Sequence, residues 1–484
     1  MTQTKNNRQT EMFYWLKIVL VLAIQILFRF LPNFGQVTDL GMSILGIFLG
    51  AIVGWCICDA AWPSITAILL LGMTDYGTIS GIFSTLFSNT ALLIVMLSFI
   101  FAGVILSCGL SDWLGKWLIS RKVLRGKPWL LTFCIILTMY IGTAMCGSGT
   151  AIMILLWEVI YSIANQAGIR KETNRWPTIM VFSLLYVIAI GQIVSWGTAP
   201  VAVIGLAQSI DMEIVLQPWP FLLYGMIVSS LLLGTSIIVN FLIFRPDITP
   251  LKDTYVEEPP KITKQQKAIL YIVAIFMVLM LIPSMLPAKW AFVQWMRQFG
   301  TIGTLLIAIG AALIVRIDGK PVAVFNAAAA KGVIWNPLFM MGTALTIAGA
   351  LTSAETGVTE TLSAWLLPLF SGMAPFWFAA MIILLTIIFT NLLNNIVVAS
   401  LFLTIVYSLK DVIGIDPYPL VIVMIYSCYL AVLLPSSNPM TAFMFGNKDK
   451  IKNTDIFRYA LVSIVTGSLV LIFIGYPLAC VFYG

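Results

Sequence analysis

Residues 129–166 read WLLTFCIILTMYIGTAMCGSGTAIMILLWEVIYSIANQ, and residues 375–409 read PFWFAAMIILLTIIFTNLLNNIVVASLFLTIVYSL. Both stretches are apolar, and each is interrupted near its middle, the first at residues 147–150 (GSGT) and the second at residues 390–395 (TNLLNN). As one straight helix, at about 1.5 Å per residue, either would be nearly twice the ~30 Å thickness of a bilayer core. We therefore expect two re-entrant helical hairpins, each with arms too short to span and a non-helical tip buried in protein or lining a wet cavity.

The composition places the chain in a membrane. Apolar residues make up 60% of its 484 residues, charged residues make up 10%, and the mean hydropathy is +1.00. A soluble domain carries about 25% charged residues, so we predict an all-α polytopic membrane protein. The net charge of +7 comes from basic residues in short loops between apolar runs. Such residues set membrane orientation, so no nucleic-acid partner is expected.

Enzymatic chemistry is not expected. The chain contains no histidine, which removes histidine triads, histidine proton relays and most catalytic metal sites. The seven cysteines lie inside apolar runs, where small buried apolar packing accounts for them. We predict no cofactor other than sodium as a coupling ion.

About 11 transmembrane helices are expected beside the two hairpins, since a crossing needs roughly 20 apolar residues. We place them at residues 14–31, 40–56, 61–76, 88–110, 178–210, 219–244, 267–285, 300–316, 333–352, 417–446 and 459–481. With a cytoplasmic N-terminus, the basic residues left outside among the 27 are Arg29, Lys289, Arg297 and Lys410. This bias predicts a multi-pass protein of the cell (inner) membrane with an extracytoplasmic C-terminus. The first hairpin then opens to the cytoplasm and the second opens outward.

The two halves of the chain repeat one another. Residues 102–103 and 348–349 both read Ala-Gly, and each pair precedes a glycine, Gly109 or Gly357, that opens the pattern Gly, apolar, Ser/Thr, acidic, any, Leu. A Ser/Thr beside an acidic residue suits the first turn of a helix, so each half should contain an amphipathic arm. The opposite orientation of the two hairpins makes this an inverted repeat, which is typical of transporters.

The repeat predicts a division of the chain into alternating segments. They are 1–118 (scaffold helices and first amphipathic arm), 119–244 (first transport half, with hairpin 129–166 and broken helix 178–210), 245–266 (cytoplasmic linker), 267–372 (scaffold helices and second amphipathic arm) and 373–484 (second transport half, with hairpin 375–409 and broken helix 417–446).

Four polar clusters interrupt the apolar segments, at residues 143–150, 192–200, 390–395 and 435–441, and none contains Asp, Glu, Lys or Arg. Polar groups at mid-membrane depth are costly and are therefore candidates for function. Helix N-termini that point into such breaks favour anions, and free carbonyl oxygens at the other helix ends bind sodium. A cage without titratable groups argues against a direct proton relay. For any single Ser or Thr, bridging between packed helices is the simpler interpretation.

Neutral donors are expected to hold an anion in these clusters. The predicted substrate-binding residues are Ser148, Gly149, Thr150, Asn394, Asn395, Thr198, Asn438 and Thr441. The predicted sodium sites lie near Thr143, Gly147, Ser148 and Gly197 and near Thr390, Asn391, Asn394 and Ser437.

On these motifs the chain resembles the divalent anion–sodium symporter family of the ion transporter superfamily. Residues 434–439 (LPSSNP), followed by Gly446, look like the second of two helix breaks in that family, and residues 197–200 (GTAP) look like the first. The family carries a Ser-Asn-Thr triplet at each hairpin tip. Here the tips read Gly-Ser-Gly-Thr at residues 147–150 and Asn-Asn-Ile at residues 394–396.

The resemblance implies a homodimer in which a transport domain slides against a scaffold like an elevator. Both hairpins and both broken helices would move together, and the arms near Asp112 and Glu360 would mark the join. Our leading hypothesis is sodium-coupled symport of a small di- or tricarboxylate or a similar divalent anion. A sodium-independent dicarboxylate exchanger of the same fold is the alternative, and a cation/proton antiporter of the wider superfamily is less favoured. The expected partners are the anionic substrate, sodium, membrane lipid and a second copy of the chain.

Overall fold

Helices make up almost all of the regular structure in a computed structural model of the chain. The structure describes residues 2–59, 61–110, 113, 117, 120, 122–124, 126–146, 150–169, 174–253, 261–287, 289–333, 335–351, 353–370, 372–393, 395–434, 441, 444 and 451–484. The expected all-α class is confirmed over these residues.

The α-helices of the described residues are numbered in chain order. The first half of the chain contains α1 (Thr2–Leu27), α2 (Asp39–Ile57), α3 (Ala61–Leu71), α4 (Ile79–Ser88), α5 (Thr90–Ser107), α6 (Pro128–Cys146), α7 (Thr150–Gln166), α8 (Trp176–Ile190), α9 (Thr198–Ile210) and α10 (Pro218–Phe244). The second half contains α11 (Lys264–Met285), α12 (Ala291–Ile314), α13 (Phe325–Gly332), α14 (Trp335–Leu351), α15 (Val358–Phe370), α16 (Pro375–Thr390), α17 (Asn395–Ile413), α18 (Pro417–Tyr429), α19 (Asn453–Val470) and α20 (Tyr476–Tyr483).

A short β-hairpin follows α12 and was not expected. Strand β1 (Arg316–Ile317) pairs antiparallel with β2 (Lys320–Pro321). The turn residues between them, Asp318 and Gly319, both have positive φ. Asp-Gly is a preferred sequence for such a two-residue turn, so the sequence did contain the signal.

The structure is that of a multi-pass membrane protein. Seven helical spans of the described residues are long and apolar enough to cross a membrane: Met12–Phe30, Thr90–Ser107, Pro218–Phe244, Lys264–Pro283, Ala291–Ile314, Asn395–Ile413 and Asn453–Tyr483. Large apolar side chains on α1, among them Phe13 and Trp15, are exposed and suit contact with lipid. The predicted crossing at 61–76 is shorter than expected, because α3 has 11 residues and spans only about 17 Å.

The two arms of each interrupted stretch pack against each other. In the first, α6 contacts α7, and a Cβ added to Gly142 would lie 2.1 Å from Ile152 Cδ1 on the other arm. In the second, Thr390 Oγ1 lies 3.0 Å from Asn395 Oδ1. The arms are longer than expected, since α17 has 19 residues and is by itself long enough to span.

Two helices that lead into the later breaks form the centre of the packing. Nearly every residue of α8 is buried, and so is α18 from Pro419 to Cys428. A helix that is apolar on all sides belongs in the interior. The arms α6 and α7 pack on α8, and the arms α16 and α17 pack on α18. Both arms of each hairpin therefore contact the helix that leads into the break of the same half.

The glycines that open the repeated pattern share a conformation. Gly109 has a φ of +67° and Gly357 a φ of +65°, in the left-handed region that favours glycine. Gln266 Nε2 donates to the Gly109 carbonyl at 3.3 Å. At the start of α15, the Gln36 N–H donates to Thr361 Oγ1 at 2.8 Å. In each half the helix start is thus bonded to a distant part of the chain. Most of the first arm, including Asp112, lies outside the described residues.

We expect Gly357→Ala to destabilise the protein far more than Gly109→Ala. Both variants carry the left-handed penalty of roughly 1–2 kcal/mol. A Cβ at Gly357 would also lie 1.8 Å from the Gln36 carbonyl oxygen, whereas the nearest atom at Gly109 is Gln266 Nε2 at 3.9 Å. Thermal unfolding of the two purified variants in detergent measures the difference. Equal losses of thermal stability would contradict the collision at Gly357.

Candidate substrate and ion site

The tip of the second hairpin bonds to the stretch where α18 stops and the chain continues without regular structure. Asn391, only 3% exposed, connects the two. Its Nδ2 donates to the carbonyl oxygens of Ile387 (2.8 Å) and Leu430 (2.9 Å). Its Oδ1 accepts from the N–H groups of Val432 (3.0 Å) and Leu433 (2.9 Å). The side chain therefore replaces the helical partners that the unwound backbone has lost.

Thr390 and Asn395 face each other across this tip. Thr390 is fully buried, and its hydroxyl shares its proton between Asn395 Oδ1, 3.0 Å away, and the carbonyl oxygen of Cys428. Asn395 begins α17 and is 7% exposed. Its Nδ2 has no partner among the described residues. A pair of amide N–H donors thus remains for a ligand at a helix N-terminus, where anions are favoured.

Thr441 closes the same break from its far side. It is fully buried, and its hydroxyl donates to the carbonyl oxygen of Ala431 at 3.2 Å. Three predicted residues of this half, Asn394, Ser437 and Asn438, lie outside the described residues. The structure therefore brings Thr390, Asn395 and Thr441 to one break.

The first break, between α8 and α9, is closely packed around two glycines. Gln192 Nε2 donates to the Ile188 carbonyl oxygen at 3.2 Å, and a Cβ added to Gly197 would lie 2.8 Å from Gln192 Oε1. At the other end, a Cβ added to Gly191 would lie 3.6 Å from Thr143 Cγ2 at the first hairpin tip. The structure therefore brings Thr143 against the first break.

The start of α9 offers free donors toward this break. Gly197 is the N-cap and Thr198 the first residue of the helix, and no side chain caps it. Because the first N–H groups of a helix have no helical partner, this end favours an anion. At the first hairpin tip, Thr150 begins α7, but its side chain lies outside the described part, as do Gly147, Ser148 and Gly149.

The two breaks belong to one buried region. The Tyr426 hydroxyl on α18 donates to the Gln192 carbonyl oxygen at 3.4 Å. Gly225 on α10 lies beside Tyr426 and the first break. A Cβ at Gly225 would be 2.7 Å from the Tyr426 hydroxyl and 3.1 Å from Ile193 Cα. The helix α9 also contacts both α17 and α18. Groups from the two halves of the chain thus meet in the interior.

Sequence reasoning did not single out two contributors to this region. Ser195, in the first break, has a buried hydroxyl with no hydrogen-bond partner among the described atoms. A buried unpaired hydroxyl is uncommon and marks a candidate ligand group. Tyr426 lies within the predicted crossing at residues 417–446, and nothing in the hydropathy pattern indicates its bond to Gln192 in the first half of the chain. The only signal for Ser195 was its place inside the polar cluster at residues 192–200.

Comparison with known proteins identifies the family. The model of the Citrate transporter family matches residues 48–426. The chain belongs to this family. The expected membrane transporter is therefore confirmed, as is the absence of an enzymatic role, and the resemblance to divalent anion–sodium symporters is borne out.

A curated protein and a solved structure are also similar to this chain. The sodium-dependent dicarboxylate transporter SdcS of Staphylococcus saprophyticus is 23% identical over 481 residues, covering 94% of this chain and 90% of that protein. The crystal structure of the Alcanivorax borkumensis YdaH transporter, described as having an unusual topology, superposes with a TM-score of 0.59. It is 14% identical and covers 91% of this chain and 99% of the other. At that identity the likeness concerns the fold.

Proposed function

We propose that the protein is a sodium-coupled symporter of a small di- or tricarboxylate. The observation that carries this proposal is the amide of Asn395 at the N-terminus of α17, whose N–H donors have no partner among the described residues. A carboxylate is an acceptor that such donors and a helix N-terminus would bind together. The name of the relative SdcS supports sodium dependence and a dicarboxylate.

The substrate would lie between the ends of three helices. Asn395 at the start of α17 and Thr198 at the start of α9 are the described donors. Thr150 begins α7 as Asn395 begins α17. Ser148, Gly149, Asn394 and Asn438 would complete the cage. Thr441 would shape the break, since its hydroxyl already bonds to a carbonyl oxygen.

Sodium would bind where the hairpin tips meet the breaks. The first site would lie near Thr143, Gly147, Ser148 and Gly197, and the unpaired hydroxyl of Ser195 is a further candidate ligand. The second would lie near Thr390, Asn391, Asn394 and Ser437. Asn391 would act there by positioning backbone carbonyls, because its own oxygen already accepts two N–H groups. Carbonyl oxygens of unwound helices are the sodium ligands that such breaks supply.

Movement would follow the elevator scheme. The transport halves at residues 119–244 and 373–484 would slide together against the scaffold of a homodimer. The inverted repeat predicted from the sequence supports this scheme, since each half would supply one hairpin and one break to a single region. The N-terminus would lie in the cytoplasm and the C-terminus outside the inner membrane, in accord with the basic residues.

Uptake of labelled succinate, malate or citrate into proteoliposomes tests the proposal. We expect accumulation under an inward sodium gradient. Uptake that persists when the gradient is abolished, with counterflow of internal substrate, would show the sodium-independent exchanger instead. Cation-driven proton movement without anion uptake would indicate the cation/proton antiporter. The four polar clusters contain no carboxylate for that mechanism.

We expect Asn395→Ala and Ser148→Ala to lower transport without lowering expression. Each removes a donor to the substrate, which costs about 1.5–3 kcal/mol for a bond to a charged group, or roughly tenfold or more in affinity. Asn33→Ala is the matched control, because Asn33 is exposed and bonds only locally to Asp39. Normal transport by both variants would show that the tips do not bind the substrate.

A further inference from the structure

A separate cavity lies away from the breaks, between the α9–α10 connection and the pair α11 and α12. Its volume is about 270 Å³, near the lower end of the roughly 300–1,000 Å³ of small-molecule sites. Leu216, Leu279 and Met280 supply an apolar part of the wall. Gln217 and Thr301 supply polar groups. The cavity thus has an apolar and a polar region.

Arg297 is the only charged residue among those that line the cavity. Its Nε and Nη2 donate to the Pro283 carbonyl oxygen at 3.1 and 2.9 Å. In a continuing helix that carbonyl would pair with the N–H of residue 287, which is a proline and has none. The bond therefore holds the guanidinium in place, and three of its five N–H donors remain for another acceptor.

A break in α12 adds to the positive character of this wall. Gly300 has a φ of +54° and a ψ of −166°, so the helix stops and restarts at Thr301. Thr304 Oγ1 donates to the Gly300 carbonyl oxygen at 2.7 Å, which satisfies that end of the break. The second part of α12 begins at Thr301, so its N-terminus lies at the part of the cavity wall that Gly300 and Thr301 form. Helix N-termini favour anions.

The neighbouring aromatic residues place the cavity at the membrane surface. Trp290, Phe292 and Trp295 are 55%, 58% and 54% exposed, while Val293 and Met296 are buried. Exposed aromatic rings of this kind are enriched at the level of lipid headgroups. An amphipathic segment with one apolar face lies in that interface. With these rings at the headgroup level, the guanidinium of Arg297 would lie at the depth of the lipid phosphates.

We propose that this cavity binds the phosphodiester headgroup of an anionic phospholipid, with the Arg297 guanidinium on the phosphate and an acyl chain along Leu279 and Met280. Planar guanidinium groups bind phosphate oxygens in pairs. The walls come from the predicted transport half (residues 215–218) and the predicted scaffold (residues 279–304). A bound lipid would therefore contact both the predicted transport half and the predicted scaffold. Any dependence of transport on this lipid rests on the proposed function.

Lipid binding to the delipidated full-length protein in detergent tests the site directly, without substrate or sodium. We expect dioleoyl phosphatidylglycerol to raise the melting temperature and to remain bound in native mass spectrometry, and zwitterionic dioleoyl phosphatidylcholine to do neither. Arg297→Gln should weaken phosphatidylglycerol binding about tenfold or more. Lys289→Gln, which removes an exposed cation outside the cavity wall, should leave it unchanged.

Further measurements separate the possible ligands and guard against misfolding. Leu279→Trp keeps Arg297 but fills the cavity, and it should also abolish binding. Inorganic phosphate that stabilises the protein as much as phosphatidylglycerol would identify a soluble anion and overturn the lipid assignment. Equal binding of both lipids, or unchanged binding in Arg297→Gln and Leu279→Trp, would also overturn it. Because no transport is measured, failure of sodium-coupled uptake would not affect these outcomes.

Discussion

Transport is expected to be abolished in Asn391→Ala, although the protein should still reach the membrane. The substitution leaves three backbone groups of the second break without their side-chain partner: the buried Leu430 carbonyl, the buried N–H of Val432 and the partly buried N–H of Leu433. Each such group costs about 1–3 kcal/mol, so the observed conformation would lose about 3 kcal/mol or more. That corresponds to at least about a hundredfold fall in the competent population. Sodium-driven uptake per mole of purified protein measures the effect.

A matched control for this variant is Asn240→Ala on α10. Asn240 is 1% exposed, and its Nδ2 donates to the Ser236 carbonyl at 2.8 Å, far from either break. Its loss should lower the melting temperature and leave the dependence of uptake on sodium concentration unchanged. Asn391→Asp should also fail, because it keeps an oxygen for the Val432 and Leu433 N–H groups but turns a buried carboxylate oxygen toward the Ile387 and Leu430 carbonyl oxygens, with no donor between them. Wild-type rates in folded Asn391→Ala would show that the break is held by other contacts.

Gly103→Val should prevent stable folding. The helices α5 and α13 touch backbone to backbone, and a Cβ at Gly103 would lie 1.9 Å from the Ala328 carbonyl oxygen. A Cβ at Gly332 would lie at the same distance from the Phe99 carbonyl oxygen. Side-chain rotation cannot relieve a collision with backbone, so the helices must separate. The cost should reach or exceed the upper end of overpacking, about 3 kcal/mol, and small residues hold such helix pairs together.

Gly349→Val is the control that the repeat supplies. Gly349 occupies the position of Gly103 in the second half, yet the nearest atom to an added Cβ is the Ser209 carbonyl oxygen at 3.9 Å. Fluorescence-detected size-exclusion chromatography of the two variants compares their folded yields. We expect a monodisperse peak for Gly349→Val and an aggregated or absent one for Gly103→Val. Similar yields from both would contradict the close approach of α5 and α13.

Several details of the candidate site depend on partners that no local pattern reveals. Asn391 and Asn395 both stand at the second tip, and hydropathy treats them alike. In the structure Asn391 bonds to the unwound backbone about forty residues later, whereas the amide N–H donors of Asn395 have no partner in the described part of the chain. A non-helical tip has no period from which side-chain direction can be read. The second arm of this hairpin is longer than the sequence predicts, because α17 begins at Asn395, a residue of the predicted break.

The sequence alone determined the membrane class, the two hairpins and the places where helices break. Water and hydrocarbon impose strict limits on charge, hydropathy and segment length, and these limits act on each segment separately. Only the tertiary structure decided which polar group faces which break, that a Cβ at Gly103 or Gly357 would collide with a backbone oxygen, and that Arg297 lines a cavity. Those properties arise from contacts between segments far apart in the chain, and each requires the position of both partners.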